Sequence, residues 1–168
     1  MSDVTIRRAT PSDLPALGRM GALLMRTHYG FDPKRFLEPG ANAEEGYAWF
    51  LGEQLKDDTN VIVLVAERPF DSAQSGESEV IGYVYAALEP ISWKELRDAC
   101  GFIHDIVVEE RGRRSGVATA LMDAAMAWLK EQGAPRVVLG TAEQNEGAQR
   151  LFARLGFRRT MVEMTREL

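Results

Sequence analysis

The sequence predicts a mixed α/β (α+β) fold, with strands mostly consecutive along the chain and helices gathered in two pairs. Three observations carry this reading. Apolar runs too short for helices recur between turn signals in the middle of the chain. Two amphipathic helical patterns precede them, and two more lie toward the other end. The 168 residues, 45% hydrophobic and 27% charged, are ordinary usage for one folded core. A chain of this length buries roughly 70% of its unfolded surface, so neither disulfide nor metal is needed to hold it together.

In chain order, residues 4–9 alternate and read as a first strand. Thr10-Pro11-Ser12-Asp13 opens a helix with Leu14, Leu17, Gly21, Leu24 and Met25 on one face, ending near His28-Tyr29-Gly30. A Pro- and Gly-bearing loop covers 31–40, and a second helix covers 43–56 with Tyr47, Phe50, Leu51 and Leu55. Residues 61–66 form an unbroken apolar run bounded by turns, which reads as a strand buried on both faces. The polar, Ser-rich stretch 69–79 then links it to a strand at 80–88, as a hairpin with a long loop. A further strand at 101–108 leads to a helix at 115–132, a strand at 136–141, a short helix at 145–155 and a last strand from Phe157.

Charge and composition remove several classes of function. The net charge of −5 disfavours a protein that lives on nucleic-acid phosphates, where affinity comes from clustered Lys and Arg. The charge is unevenly divided: residues 1–108 carry 17 acidic against 10 basic side chains, and residues 109–168 carry 8 against 10. The positive part includes a cluster, Arg111, Arg113 and Arg114. Cys100 stands alone and reads as a small core residue, and with only His28 and His104 there is no metal-ligand spacing. No basic stretch followed by an apolar run opens the chain, and no apolar stretch approaches the ~20 residues of a membrane span. A cytoplasmic protein without metal, membrane or nucleic-acid partner is the expectation.

The chemistry concentrates between Asp105 and Met122. A strand runs into a short loop with three arginines and two glycines, and the loop opens directly into a helix whose buried face is Val117, Leu121, Ala124, Ala125, Trp128 and Leu129. A helix N-terminus exposes unpaired N–H groups and partial positive charge, so a glycine-bearing turn there suits a phosphate. No Gly-Lys-Ser/Thr follows the loop, and its glycines lack the dinucleotide spacing. Arg113-x-x-Gly116-x-Ala118 resembles the Arg/Gln-x-x-Gly-x-Gly/Ala signature of the GCN5-related N-acetyltransferase (GNAT) family. A second match follows about thirty residues on: Asn145-x-x-Ala148-x-x-Leu151-Phe152-x-x-Leu155-Gly156-Phe157 is similar to the family's C-terminal helix and strand start. The likeness covers roughly 101–165; the first half agrees in element order only.

The resemblance implies a central mixed, mostly antiparallel sheet flanked by helices and splayed between the strands at 102–108 and 136–141. It implies a single N-acetyltransferase domain over 1–168, with 1–100 on the acceptor side and 101–168 holding acetyl-CoA. By the same likeness, backbone at Ile106, Val107 and Val108 takes the pantetheine arm as if it were an added strand. The N–H groups of Arg113, Arg114, Ser115, Gly116, Val117, Ala118 and Thr119 take the pyrophosphate, and Asn145 contacts the cofactor arm while also suiting a helix N-cap. The oxyanion would be held by an N–H near Val107 or Val108.

Acetyl transfer by direct attack on an amine needs a base, and His104, where family members often carry a glutamate, is the candidate, since histidine changes protonation near neutrality. Strict alternation along that strand puts Phe102, His104, Ile106 and Val108 on one face and Asp105 on the other. The tyrosine usual in the family's C-terminal helix is Phe152 here, which has no hydroxyl to give, so a catalytically weak acyl-CoA-binding sensor stands as the alternative. The acceptor wall is expected from His28, Tyr29, Phe31, Phe36 and Glu89, with the segment 88–93 on the other side. The substrate is a small-molecule or peptide amine, and a homodimer is expected.

Overall fold

A computed structural model describes residues 4–69 and 78–168. Its single sheet has five strands in spatial order β1 (Thr5–Arg8), β2 (Val61–Pro69), β3 (Ser78–Glu89), β4 (Cys100–Val108) and β5 (Val137–Leu139). The first four pair antiparallel with their neighbours; β5 runs parallel to β4, after the crossover through helix α3 (Val117–Glu131). Helices α1 (Leu14–Phe31) and α2 (Ala43–Gln54) cover one face, where Leu17, Met20 and Leu51 meet Val61, Val63, Val65, Tyr83 and Val107. Helices α3 and α4 (Glu146–Arg154) cover the other, where Leu121, Met122, Ala125 and Phe152 meet Ile62, Leu64, Val84 and Ile103. Covering both faces explains the unbroken apolar run of β2.

The strands β2 and β3 run further than expected and pair up to Pro69 and Ser78, a hairpin whose expected loop lies, for 70–77, outside the described residues. The expected strand at 136–141 contracts to three residues, and α3 begins at Val117 rather than 115. No strand forms from Phe157 onward. There α4 closes on Gly156 in a left-handed conformation (φ +88°), the N–H of Phe157 returns to the carbonyl of Phe152 at 3.0 Å, and the two rings meet edge-on at 5.9 Å. Beyond this cap the chain joins no ladder, and ion pairs Arg159–Glu143 and Arg35–Glu163 hold it on the surface.

Two glycines let α1 and α2 cross closely. A Cβ added at Gly21 would lie 1.9 Å from the Tyr47 ring, and one at Gly18 would lie 2.4 Å from the Glu44 carbonyl oxygen. Cys100 is buried, as its sequence reading has it, and accepts a hydrogen bond from Arg97 at 3.0 Å.

Candidate functional site

The site is built around a break in β4. Opposite it on β3, Tyr85 pairs with Asp105 but the next residue, Ala86, pairs with Ile103, which leaves His104 as an extra, bulged residue. Strict alternation therefore fails here. Ile103, Ile106 and Val108 face α3, while Phe102, His104, Asp105 and Val107 all face the α1/α2 side. The expectation that His104 shares a face with Ile106 and Val108, opposite Asp105, is corrected by this one inserted residue.

The bulge seats the His104 ring between Tyr85 and Phe102, stacked at 4.8 and 4.6 Å between centroids. Its Nε2 lies 2.9 Å from Oε1 of Glu89, at the end of β3. Behind it, Asp105 accepts hydrogen bonds at Oδ2 from the hydroxyls of Tyr47 (2.7 Å) and Tyr83 (2.9 Å). Burial pushes the Asp105 carboxyl above its ordinary range although both hydroxyls favour the charged form. Burial likewise raises Tyr47 and Tyr83, and pushes Tyr85 up to about 12. Tyr83 is fully buried against Asp105, and Tyr85 donates to Gln54 at 3.0 Å. Neither hydroxyl is free to take over the role that Phe152, 6% exposed in the core, lacks.

Beside the bulge the sheet opens. β5 pairs only with Gly101, Phe102 and Ile103, so among the described residues β4 has no strand neighbour on that side from His104 to Val108. The N–H of Glu109 bonds to the Ile81 carbonyl, so the antiparallel ladder turns the backbone of Val107 toward Tyr83 and that of Ile106 and Val108 toward the opening. Of the three residues expected to present backbone here, Val107 instead spends it within the sheet.

The loop that follows carries two left-handed residues, Arg114 (φ 60°) and Gly116 (φ +83°), the second forming the N-cap of α3. Among the described residues, the N–H groups from Arg114 to Thr119 donate no hydrogen bond, so six donors cluster where the helix adds partial positive charge. A Cβ on Gly116 would meet nothing, which leaves open space over the turn. The Ser115 hydroxyl donates to the Gly112 carbonyl and the Arg113 Nε to that of Val108. Of the arginine cluster, Arg111 is taken by Glu79 and Glu109, while Arg113 and Arg114 stay exposed. Asn145 caps α4, its Oδ1 accepting from the Ala148 N–H at 3.2 Å.

On the acceptor side, His28 meets Phe31 and Phe36 edge-on at 5.8 and 5.0 Å, and its Nδ1 bonds the Leu24 carbonyl. Tyr29 is half-buried on the next position of α1, outside this aromatic cluster. Ile91 and Trp93, expected on the other wall, are exposed, and Arg97 reaches back over the Phe102 ring. Sequence reasoning missed Tyr47 and Gln54, whose roles depend on the α2–sheet contact, and missed that Glu89, expected on the acceptor wall, meets His104.

A splayed strand beside an N–H-lined turn at a helix start defines the class, and the family comparison agrees. The acetyltransferase (GNAT) family model matches residues 25–157, and the chain belongs to this family. An uncharacterized N-acetyltransferase of Methanocaldococcus jannaschii is 28% identical over 153 residues, 91% of this chain and 60% of that protein. An N-alpha-acetyltransferase of Sulfurisphaera tokodaii is 34% identical over 94 residues, 51% of this chain and 54% of that protein. The chain thus matches 60% or less of these relatives' own lengths. An aminoglycoside N-acetyltransferase solved in complex with CoA shares the fold at TM-score 0.72 and 18% identity, covering 100% of this chain and 96% of that one. A transcriptional regulator from Bacillus halodurans shares it at TM-score 0.70 and 24% identity, covering 98% and 99%. Among the described residues no helix is long and apolar enough to cross a membrane.

Proposed function

We propose that residues 1–168 form one cytoplasmic N-acetyltransferase domain that moves an acetyl group from acetyl-CoA to a primary amine by direct attack. The observation that carries this is the open edge of β4 continuing into the unpartnered N–H groups of 114–119. The residues present fit a CoA thioester: the open carbonyl of Ile106 and N–H of Val108 for an extended amide chain, and six N–H donors with Arg113 and Arg114 for a pyrophosphate. Bound there, acetyl-CoA supplies the activated acetyl group.

His104 takes the proton from the amine, and the Glu89 carboxylate orients its ring. The outward N–H of Ile106, nearer to His104 than that of Val108, is the oxyanion donor, which Val107, turned into the sheet, cannot be. Glu89 makes this side of the sheet receptive to a cationic amine, small-molecule or peptide, lined by His28, Tyr29, Phe31 and Phe36. The acting form is a homodimer.

A second reading, an acyl-CoA sensor with weak or no turnover, is favoured by one observation: Phe152 offers no hydroxyl to a departing thiolate and is packed in the core. Thermal stabilisation by acetyl-CoA with thiol release on adding a panel of amines supports the enzyme. Stabilisation without release across the panel supports the sensor, and absence of any stabilisation overturns both.

A further inference from the structure

We infer that Tyr85 is a positioning residue for the proposed transfer: with Phe102 it holds the His104 imidazole so that Nδ1, not Nε2, meets the amine. This deepens the acetyltransferase reading and rests on it. On β3, Tyr85, Ala87 and Glu89 lie two residues apart and share the face toward α1 and α2. Tyr85 covers one face of the imidazole at 4.8 Å, and Glu89 meets its Nε2 at 2.9 Å. Phe102 covers the other face at 4.6 Å, and each ring is tilted from the imidazole by only 24°.

Both walls are fixed by contacts other than His104. Tyr85 is 7% exposed, its ring meets Phe50 edge-on at 6.0 Å, and its hydroxyl donates to Gln54 Oε1 at 3.0 Å. Over the Phe102 ring, at 5.9 Å, lies the Arg97 guanidinium, itself bonded to Glu95, Cys100 and the carbonyls of Pro90 and Asp98. An ionised carboxylate only accepts, so Nε2 bears the ring hydrogen toward Glu89 and Nδ1 bears the lone pair. Among the described residues Nδ1 has no hydrogen-bond partner, and the side chain is 30% exposed. With both faces covered, that exposure is at the edge. Nδ1 takes the proton as the amine nitrogen bonds to the acetyl carbon, and the electron pair of the breaking carbon–sulfur bond leaves with the thiolate. The charge gained by the ring then lies between two aromatic faces and beside Glu89. Removing one wall frees the ring to turn about its side-chain bonds, and misplacing a reacting group by about 1 Å can cost about 10²-fold.

The test is a double-mutant cycle on steady-state thiol release with an amine that the parent acetylates. Tyr85→Leu is expected to lower kcat about 10- to 100-fold with the KM for acetyl-CoA unchanged. Tyr85→Phe, which keeps the ring, is expected to recover most of that loss. In a His104→Ala background Tyr85→Leu is expected to cost nothing further, because it acts only through the imidazole. No loss from Tyr85→Leu, or equal losses in both backgrounds, makes Tyr85 a packing residue and overturns the inference. So does a long-range proton–nitrogen spectrum in which the neutral His104 ring carries its hydrogen on Nδ1. Should Tyr85→Leu fail to fold, Phe102→Leu on the half-buried opposite wall takes its place in the cycle with the same expectations. A parent that releases no thiol across a panel of amines overturns the acetyltransferase reading and this inference with it. A parent that turns over while the cycle is additive overturns this inference alone.

Discussion

The imidazole Nε2 of His104 lies 2.9 Å from the Glu89 carboxylate, and the bulge in β4 sets the buried Asp105 on the same face behind them. Regular pleating from Phe102 would keep the ring on this face but turn Asp105 toward α3, away from Tyr47 and Tyr83. The pair is the base and its orienter in the proposed reaction. Replacing His104 with Ala is expected to lower kcat by about 10²–10⁴-fold, the usual worth of general base help, and Glu89→Gln by less. Both variants should retain stabilisation by acetyl-CoA, since neither lines the loop at 113–119. Steady-state thiol release at pH 7, with thermal shift alongside, checks this; unchanged turnover in His104→Ala assigns the ring to packing between Tyr85 and Phe102.

The left-handed turn at Gly116 separates a backbone effect from a charge effect. A Cβ there would meet no neighbour, so Gly116→Ala is expected to cost only the left-handed strain, about 1 kcal/mol, and to leave the loop's donors in place. Arg114→Glu with Gly116→Glu instead sets two carboxylates among the N–H groups and should abolish the thermal shift with acetyl-CoA. Calorimetric titration of both variants checks this; a double variant that still binds displaces the phosphate site from this loop.

Much of the sheet was legible in sequence because β2, β3 and β4 advertise burial by composition, and α3 by periodicity with a glycine before it. The bulge was not. It arises because β3 and β4 must pair on both sides of an extra residue, and nothing in Ile103-His104-Asp105 distinguishes a bulge from a regular strand. The hydroxyls of Tyr47 and Tyr83 converge on Asp105 only once α2 is placed on the sheet, so their roles are tertiary. The strand expected from Phe157 failed for the complementary reason: strand-like residues ladder only where an edge is engaged, and within one copy this segment engages none.

Gly21 carries the contact that seats Tyr47. An alanine there gains about 1 kcal/mol of helix propensity over glycine, but its Cβ would stand 1.9 Å from a ring carbon. Overpacking of this kind costs about 1–3 kcal/mol and here must also move the hydroxyl that donates to Asp105. Net destabilisation of about 1–2 kcal/mol is expected for Gly21→Ala by urea denaturation. Gly30→Ala, with open space around its Cβ, should show no such loss.

Asp105 makes stability depend on pH in the direction opposite to most carboxylates. Burial raises its folded pKa, so its contribution is fully present below the unfolded value, about 4, and is lost as pH rises through the folded value. Asn in its place keeps an oxygen for both tyrosine hydroxyls and has no charge to bury. The melting temperature of the parent minus that of Asp105→Asn is therefore expected to fall as pH rises from 4 to 8 in scanning calorimetry. A constant difference across that range shows that Asp105 titrates as an ordinary carboxylate.

At the opposite edge of the sheet, Asp13 does the reverse. Its side chain, 6% exposed, accepts from Arg7 at 2.9 and 3.0 Å and from the Thr10 N–H at 2.7 Å, and Arg7 also holds Glu67 at 2.6 Å. Burial pushes the Asp13 carboxyl up, but the Arg7 and Thr10 hydrogen bonds outweigh it and the net shift is downward; Arg7 and Ser78 lower Glu67 as well. Depressed carboxylates contribute stability above their unfolded values and lose it as pH falls through the folded ones. Asp13→Ala removes charge-assisted bonds worth about 1.5–3 kcal/mol in total. Arg7 is one-third exposed and keeps Glu67, so about 2 kcal/mol is the expected cost near pH 7. For a chain of this size that lowers Tm by about 4–8 °C. Below pH 4 the parent loses the same contribution, so the gap between the two melting temperatures should close, and a gap that persists in acid would place the stabilisation in packing rather than charge.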